Sequence, residues 1–282
     1  MRVRTTEKRG FRIALRVIQY AILIAYAVIT FMPFLWALSA SFKTLAEIST
    51  GEPNFIPKEF TLENYKRIFI DEPLFPRWFL NSSFVAVVVM GLNLLFNSMA
   101  GYALARFNFP GNKLIFFGIL AVLMIPGQLT LIPSYLILNE LNWLNSYQGL
   151  IVPAAVNATF IFMMRQFFLS FPKDLEEAAE IDGLGRFGTF FRIALPLAGP
   201  ALAAQAVFIF MGSWNEFLKP LVIMSEKAMY TLPLGLNTFK GEYYSFWNLI
   251  MAASMVFTLP ALLMFIFANR FFVKGITFTG GK

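Results

Sequence analysis

The sequence predicts an all-α integral membrane protein with about six transmembrane helices and one short helix in water. Three observations lead there. Of 282 residues, 58% are hydrophobic and 14% charged, with a mean hydropathy of +0.65, more apolar and less charged than an average soluble domain. Apolar runs close to the length that crosses a bilayer as a helix recur from end to end, at 17–41, 80–105, 114–138, 147–168, 197–223 and 247–269. Between the fourth and fifth runs lies residues 172–183, a stretch of opposite character in which Lys173, Asp174, Glu176, Glu177, Glu180 and Asp182 are charged.

The first run follows Arg2, Arg4, Lys8, Arg9, Arg12 and Arg16, which supply much of the net charge of +7. Basic residues directly against a span read as a cytoplasmic topology signal. A nucleic-acid arm is the alternative, and adjacency to the membrane argues against it. The apolar part is too long for a signal-peptide core and ends without a small-x-small cleavage site, so it is expected to remain as an anchor. Six spans put both termini on one side, and the basic start makes that side the cytoplasm. The expected organisation is a basic N-terminus over 1–16, one membrane domain over 17–270 and a cytoplasmic tail over 271–282.

Phe42–Phe79 forms the longest external loop, with five basic and six acidic residues. Pro53, Pro57, Pro73 and Pro76 argue against one continuous helix there. Residues 62–69 have the amphipathic pattern of a surface-lying piece. The loop 106–113 returns the chain at Pro110-Gly111, a turn signal, and its two cations favour the inner side. Pro126, Pro133, Pro153, Pro196, Pro200 and Pro220 predict bends or breaks in spans three to five.

No cysteine or histidine is present. This removes disulfides, thiolate chemistry, the commonest metal ligand and the commonest general base. No catalytic or metal site is expected. Among the spans lie Asn93, Asn97, Gln128, Asn157, Gln205, Asn215, Glu216, Lys219 and Asn248. Amides of this kind act by default as interhelical glue at about 1 kcal/mol or less each. A route for polar, uncharged solutes also needs neutral donors and aromatic faces, which makes Trp214, Asn215 and Asn93 the candidate pathway residues. Glu216 and Lys219 are spaced to pair on one helix face.

The charged stretch reads as a helix of about two turns. Asp174 suits the N-cap and Glu177 completes a capping box. Pro172 stops helix before it, and Gly183 supplies a C-terminal cap. Leu175, Ala178, Ala179 and Asp182 fall on one small-residue face suited to close docking. Alone, so short a helix is marginal in water, so its own chain or a partner must hold it.

Glu177-Ala178-Ala179, three residues, Gly183, nine residues, then Ile193-Ala194-Leu195-Pro196 resembles the cytoplasmic loop signature of ATP-binding-cassette importer permeases. Ala105-Arg106-Phe107, then Phe109-Pro110-Gly111, and the ending from Arg270 to Lys282 resemble the carbohydrate, maltose-type branch of that family. The resemblance implies a type I importer permease fold with a cytoplasmic coupling helix in the loop 169–196. Leu175, Glu177, Ala178, Ala179, Asp182, Gly183, Ile193, Leu195 and Pro196 would then couple to an ATPase. The implied partners are a second homologous permease, two ATP-binding-cassette subunits holding ATP and magnesium, an extracytoplasmic solute-binding protein and a sugar solute. The binding protein would meet the first external loop and the loop between spans five and six, and the Gly-rich tail would reach toward the ATPases; a frayed terminus is the competing reading of that tail. No Walker sequence occurs here, so nucleotide is expected in the partners and no cofactor in this chain. The implied function is half of a translocation pathway working by alternating access in a bacterial or archaeal cytoplasmic membrane. The alternatives are a permease for another polar solute such as a polyol phosphate, and an ion-driven secondary transporter, which would need central intramembrane carboxylates and inverted repeats.

Overall fold

The computed structural model describes residues 3–51, 54–241 and 244–278, with side chains over 14–51, 54–241 and 244–268. Every named element among them is helical. Four helices are long and apolar enough to span a bilayer, and two bent pairs bring the number to six.

Helix α1, Val3–Ala40, includes the apolar stretch Ala14–Ala40. Each side chain from Ala14 to Leu35 is exposed, so this helix presents apolar surface all round. Helix α2, Phe75–Arg106, opens with Pro76 in its first turn, where a missing N–H costs nothing. Trp78, Ser82, Val85, Val89, Asn93, Asn97, Gly101 and Leu104 are buried along it at helical spacing.

The third apolar run is broken, as its prolines predict. Helix α3, Asn112–Leu123, and the segment Gly127–Glu140 meet at 97° across Pro126. The second arm ends as helix α4, Leu131–Glu140. The fourth span, Tyr147–Ser170, is interrupted by a 3-10 turn at Val152–Ala154 and continues as helix α5, Ala158–Ser170. Helix α6, Asp174–Ile181, follows.

The fifth run is shorter than the sequence suggests. Arg186–Leu197 and helix α7, Gly199–Trp214, meet at 76°. Pro196 and Pro200 flank the bend. Beyond Trp214 the chain breaks at Asn215 and forms a separate short helix α8, Leu218–Ile223. The last helix, α9, is Trp247–Phe278.

Contacts divide the chain into two compact units. One unit takes the chain up to Glu72 together with Phe239–Val256. In it, the Asn64 amide donates to the Ser41 and Lys43 carbonyls at 2.9 and 2.8 Å, and Asn64 Oδ1 accepts from Asn248 at 2.6 Å. Asn248 therefore acts as glue, tying the start of α9 to the chain beyond α1. The predicted amphipathic piece forms the helix Glu63–Lys66 and a π turn, Arg67–Asp71.

The other unit takes Pro73–Thr238 and the chain from Phe257. Its frame is α2, against which α5 and α7 pack. Gly101 makes the first of these contacts possible: a Cβ there would stand 2.7 Å from Met164 Cβ and 2.8 Å from the Arg165 nitrogen. Small residues allow this backbone approach, which drives helix association in lipid. At the other end of α2, polar side chains hold the segment 227–232. Trp78 donates to the Lys227 carbonyl at 2.7 Å, Asn81 to Ala228 and Tyr230, and Ser82 Oγ accepts from the Leu232 N–H at 2.7 Å.

Candidate functional site

Two places in the second unit carry functional character: the loop around α6 and a cavity between helices. The loop begins where α5 ends, at Ser170. Phe171 is extended before Pro172, and the Lys173 carbonyl accepts from both Glu176 and Glu177 N–H groups, at 2.9 and 3.0 Å.

The helix thus starts one residue earlier than expected. Lys173 is the N-cap, without a side-chain bond, and Asp174 lies inside the first turn. The predicted capping box does not form, because Asp174 is too deep to receive an N3 N–H. Asp174, Glu176 and Glu177 instead complement the positive end of the helix dipole.

The C-terminus follows prediction. Gly183 has φ +82°, its N–H donates to the Glu180 carbonyl at 3.0 Å, and the Leu184 N–H donates to Ala179 at 2.9 Å. This is a Schellman closure, with glycine in the left-handed position.

The small-residue face divides. Ala179 is 3% exposed and turns into its own chain, whereas Leu175, Ala178 and Asp182 stay exposed with Glu177. Two apolar side chains that the sequence reading passed over stand out beside them, Ile181 at 87% exposure and Phe187 at 73%. The spacing of Leu175, Ala178 and Ile181 carried that signal. Ile193 and Leu195 are half-buried and Pro196 exposed. Ile193 belongs to a π turn, Phe190–Ala194, so the Ile-x-Leu-Pro motif forms the bend into α7. Tyr102, Met164, Phe168, Phe190, Ala194 and Ala198 form one buried cluster joining α2, α5 and the segment that leads into α7.

The cavity encloses about 280 Å³ between α2, the fourth span, α7 and α8. Asn93 lines it, but its amide is engaged: Nδ2 donates to Val89 at 2.9 Å and Ala154 at 2.6 Å, and Oδ1 accepts from Asn97 at 2.9 Å. Asn97 in turn accepts from the Asn157 N–H at 3.1 Å, and Asn157 caps α5 through the Thr159 N–H. The chain of amides satisfies the backbone freed by the break in the fourth span.

The other two pathway candidates lie elsewhere. Trp214 is fully buried, stacked on Phe210 and Phe257, with its indole N–H donating to the Phe257 carbonyl at 3.1 Å. An indole so enclosed packs α7 against the neighbouring helix. Asn215 is exposed, and its amide returns to the Met211 carbonyl at 2.7 Å. Glu216 and Lys219 do not pair. Glu216 Oε1 accepts instead from the Leu218 and Lys219 N–H groups at 3.1 and 3.3 Å, capping α8, because those donors lie closer than the flexible ammonium. Both residues line the cavity with Ser213, Phe160, Phe208 and Thr231. The Thr231 hydroxyl is buried without a protein partner. Gln205, also expected as glue, is fully buried with neither amide atom paired.

The family described as binding-protein-dependent transport system inner membrane component matches residues 97–277. The chain belongs to this family of membrane permeases. The permease is 38% identical to an arabinooligosaccharide transport system permease protein of Halalkalibacterium halodurans, over 94% of this chain and 97% of that one. It is 36% identical to a diacetylchitobiose uptake system permease protein of Streptomyces coelicolor, covering 90% and 84%. A trehalose/maltose transport system permease protein of Thermococcus litoralis is also 36% identical, covering 90% and 92%. In fold, the permease matches a chain of a bacterial ABC transporter that imports the acidic polysaccharide alginate, with a TM-score of 0.83 at 24% identity over 94% and 98% of the two chains. A second match is the alginate transporter in complex with an alginate pentasaccharide-bound periplasmic protein, with a TM-score of 0.65 at 16% identity over 96% of each chain. The permease is therefore a multi-pass membrane transport subunit.

Proposed function

We propose that this permease forms half of the translocation pathway of an ATP-driven importer for a sugar or oligosaccharide. The reading rests on one observation above the rest: α6 is anchored to its own chain by Ala179 and bares Leu175, Glu177, Ala178 and Ile181, with Phe187 exposed just beyond it. A two-turn helix with apolar side chains in water is unfavourable alone and fits a partner's groove. In this account two ATP-binding-cassette subunits, holding ATP and magnesium, grip that face from the cytoplasm, where both termini also lie. A second, homologous permease supplies the other half of the pathway, and an extracytoplasmic binding protein delivers the solute.

The relatives' named solutes support the carbohydrate class, and the cavity's hydroxyls, amides and aromatic rings suit it. The mechanism is alternating access: closure of the ATPase pair drags α6, and the bent fifth span changes posture beside the cavity that it lines. Glu216, engaged as a helix cap, is poorly placed for the ion relay of a secondary transporter.

The test is reconstitution of the permease with its neighbouring ATPase, permease and binding protein in proteoliposomes. ATP-dependent uptake of a neutral oligosaccharide is expected. Uptake by this chain alone under an ion gradient contradicts the proposal.

A further inference from the structure

Arg106 ends α2, and as a cation beside a short loop it first reads as a topology charge. Topology charges stay in water. Arg106 does not: its side chain is 6% exposed and its Nε lies 3.0 Å from Glu176 Oε1, itself 16% exposed. The other arm of the guanidinium donates to the Phe171 carbonyl, and the group lies 5.9 Å from the Phe171 ring. Arg106, in the last turn of α2, therefore pairs with a carboxylate in the first turn of α6.

A buried pair of this kind is a poor source of stability, because desolvation offsets most of the attraction, yet breaking it leaves an uncompensated charge. Its value lies in direction. The guanidinium is held from two sides, by the Glu176 charge and by its hydrogen bond to the Phe171 carbonyl, so it ties the end of α2 to the start of the loop where an apolar contact would slide. The same helix carries Val85, Val89 and Asn93 on the cavity wall, and Asn93 is 13 residues from Arg106, about 20 Å along a rigid rod.

We infer that the Arg106–Glu176 pair is the strut through which movement of the docked α6 reaches α2 and the cavity. Both are positioning residues: Glu176 faces inward to its own chain while the neighbouring Glu177 faces out. The two adjacent glutamates thus divide the work, one toward the membrane helices and one toward the ATPase. The inference rests on the importer reading given above.

The test uses the reconstituted importer and measures solute imported per ATP hydrolysed. Glu176→Gln, which keeps shape and removes charge, is expected to lower that ratio while ATPase subunits still co-purify. Arg106→Glu and Glu176→Arg, which set two like charges against each other in a buried place, are each expected to lower it by about a hundredfold or more. The double variant Arg106→Glu/Glu176→Arg is expected to recover much of the loss. Arg106→Lys, which keeps the charge without the guanidinium, is expected to fall between Glu176→Gln and wild type. An unchanged ratio in Glu176→Gln with the complex assembled, or a double variant no better than the single ones, overturns the strut. A wild-type permease that binds no ATPase overturns the importer reading instead.

Discussion

Gly183→Val isolates the geometry that closes α6. Gly183 has φ +82°, and no atom lies within 4 Å of where a Cβ would stand. The substitution meets no neighbour, so its cost is torsional. An L-residue in the left-handed region loses about 1–2 kcal/mol, with a β-branched side chain at the upper end. The helix has eight residues and marginal stability of its own, so that cost falls directly on the population holding the docking face in shape. At about 1.4 kcal/mol per factor of ten, ATPase binding should weaken about 5-fold to 30-fold. Gly183→Asn should weaken it far less, since asparagine tolerates this conformation. Titration of purified ATPase into the permease in lipid nanodiscs reads both values. The reasoning is refuted if Gly183→Val binds as tightly as wild type, or if asparagine weakens binding as much as valine.

Other substitutions test other parts of the structure. Gly101→Leu drives a side chain into the α5 backbone near Met164 and Arg165; folded protein should be lost on size-exclusion chromatography in detergent. Asn97→Leu removes the donor to Asn93 Oδ1, whose side chain is buried, and should destabilise by about 1–3 kcal/mol, the cost of an orphaned buried acceptor, seen as a lower melting temperature. Gln205→Met removes an amide buried without partners and should raise the melting temperature, because removing an unpaired polar group recovers its desolvation cost. Ile181→Asp alters a side chain exposed to water in the chain alone; thermal stability should stay at wild type while ATPase binding falls.

Much of this was legible from local chemistry. Span positions follow from apolar runs, the breaks at Pro126, Pro153 and Pro196 from missing donors and ring sterics, and the closure at Gly183 from glycine's access to positive φ. What stayed hidden depended on distant partners. Glu216 and Lys219 sit three residues apart and invite pairing, but the break after Trp214 offers Glu216 two backbone N–H groups first. Trp214 reads as a stacking platform for a sugar, and in the fold Phe257, 43 residues on, occupies its face. Arg106 and Glu176 look like two solvated charges until the fold brings them to 3.0 Å. Ala179 parts from Leu175 and Ala178 because a helix face is wide enough to serve two neighbours, one within the chain and one outside it.

The central claim is that α6 engages an ATPase. The sequence has no cysteine, so Ile181→Cys places a single thiol on the exposed face of the loop. Short-reach thiol crosslinking in membranes holding the neighbouring ATPase, itself carrying cysteines along its groove, should give a permease–ATPase adduct that a control thiol at Tyr244 does not give. Equal or absent crosslinking at Ile181, in membranes that import solute, contradicts the account.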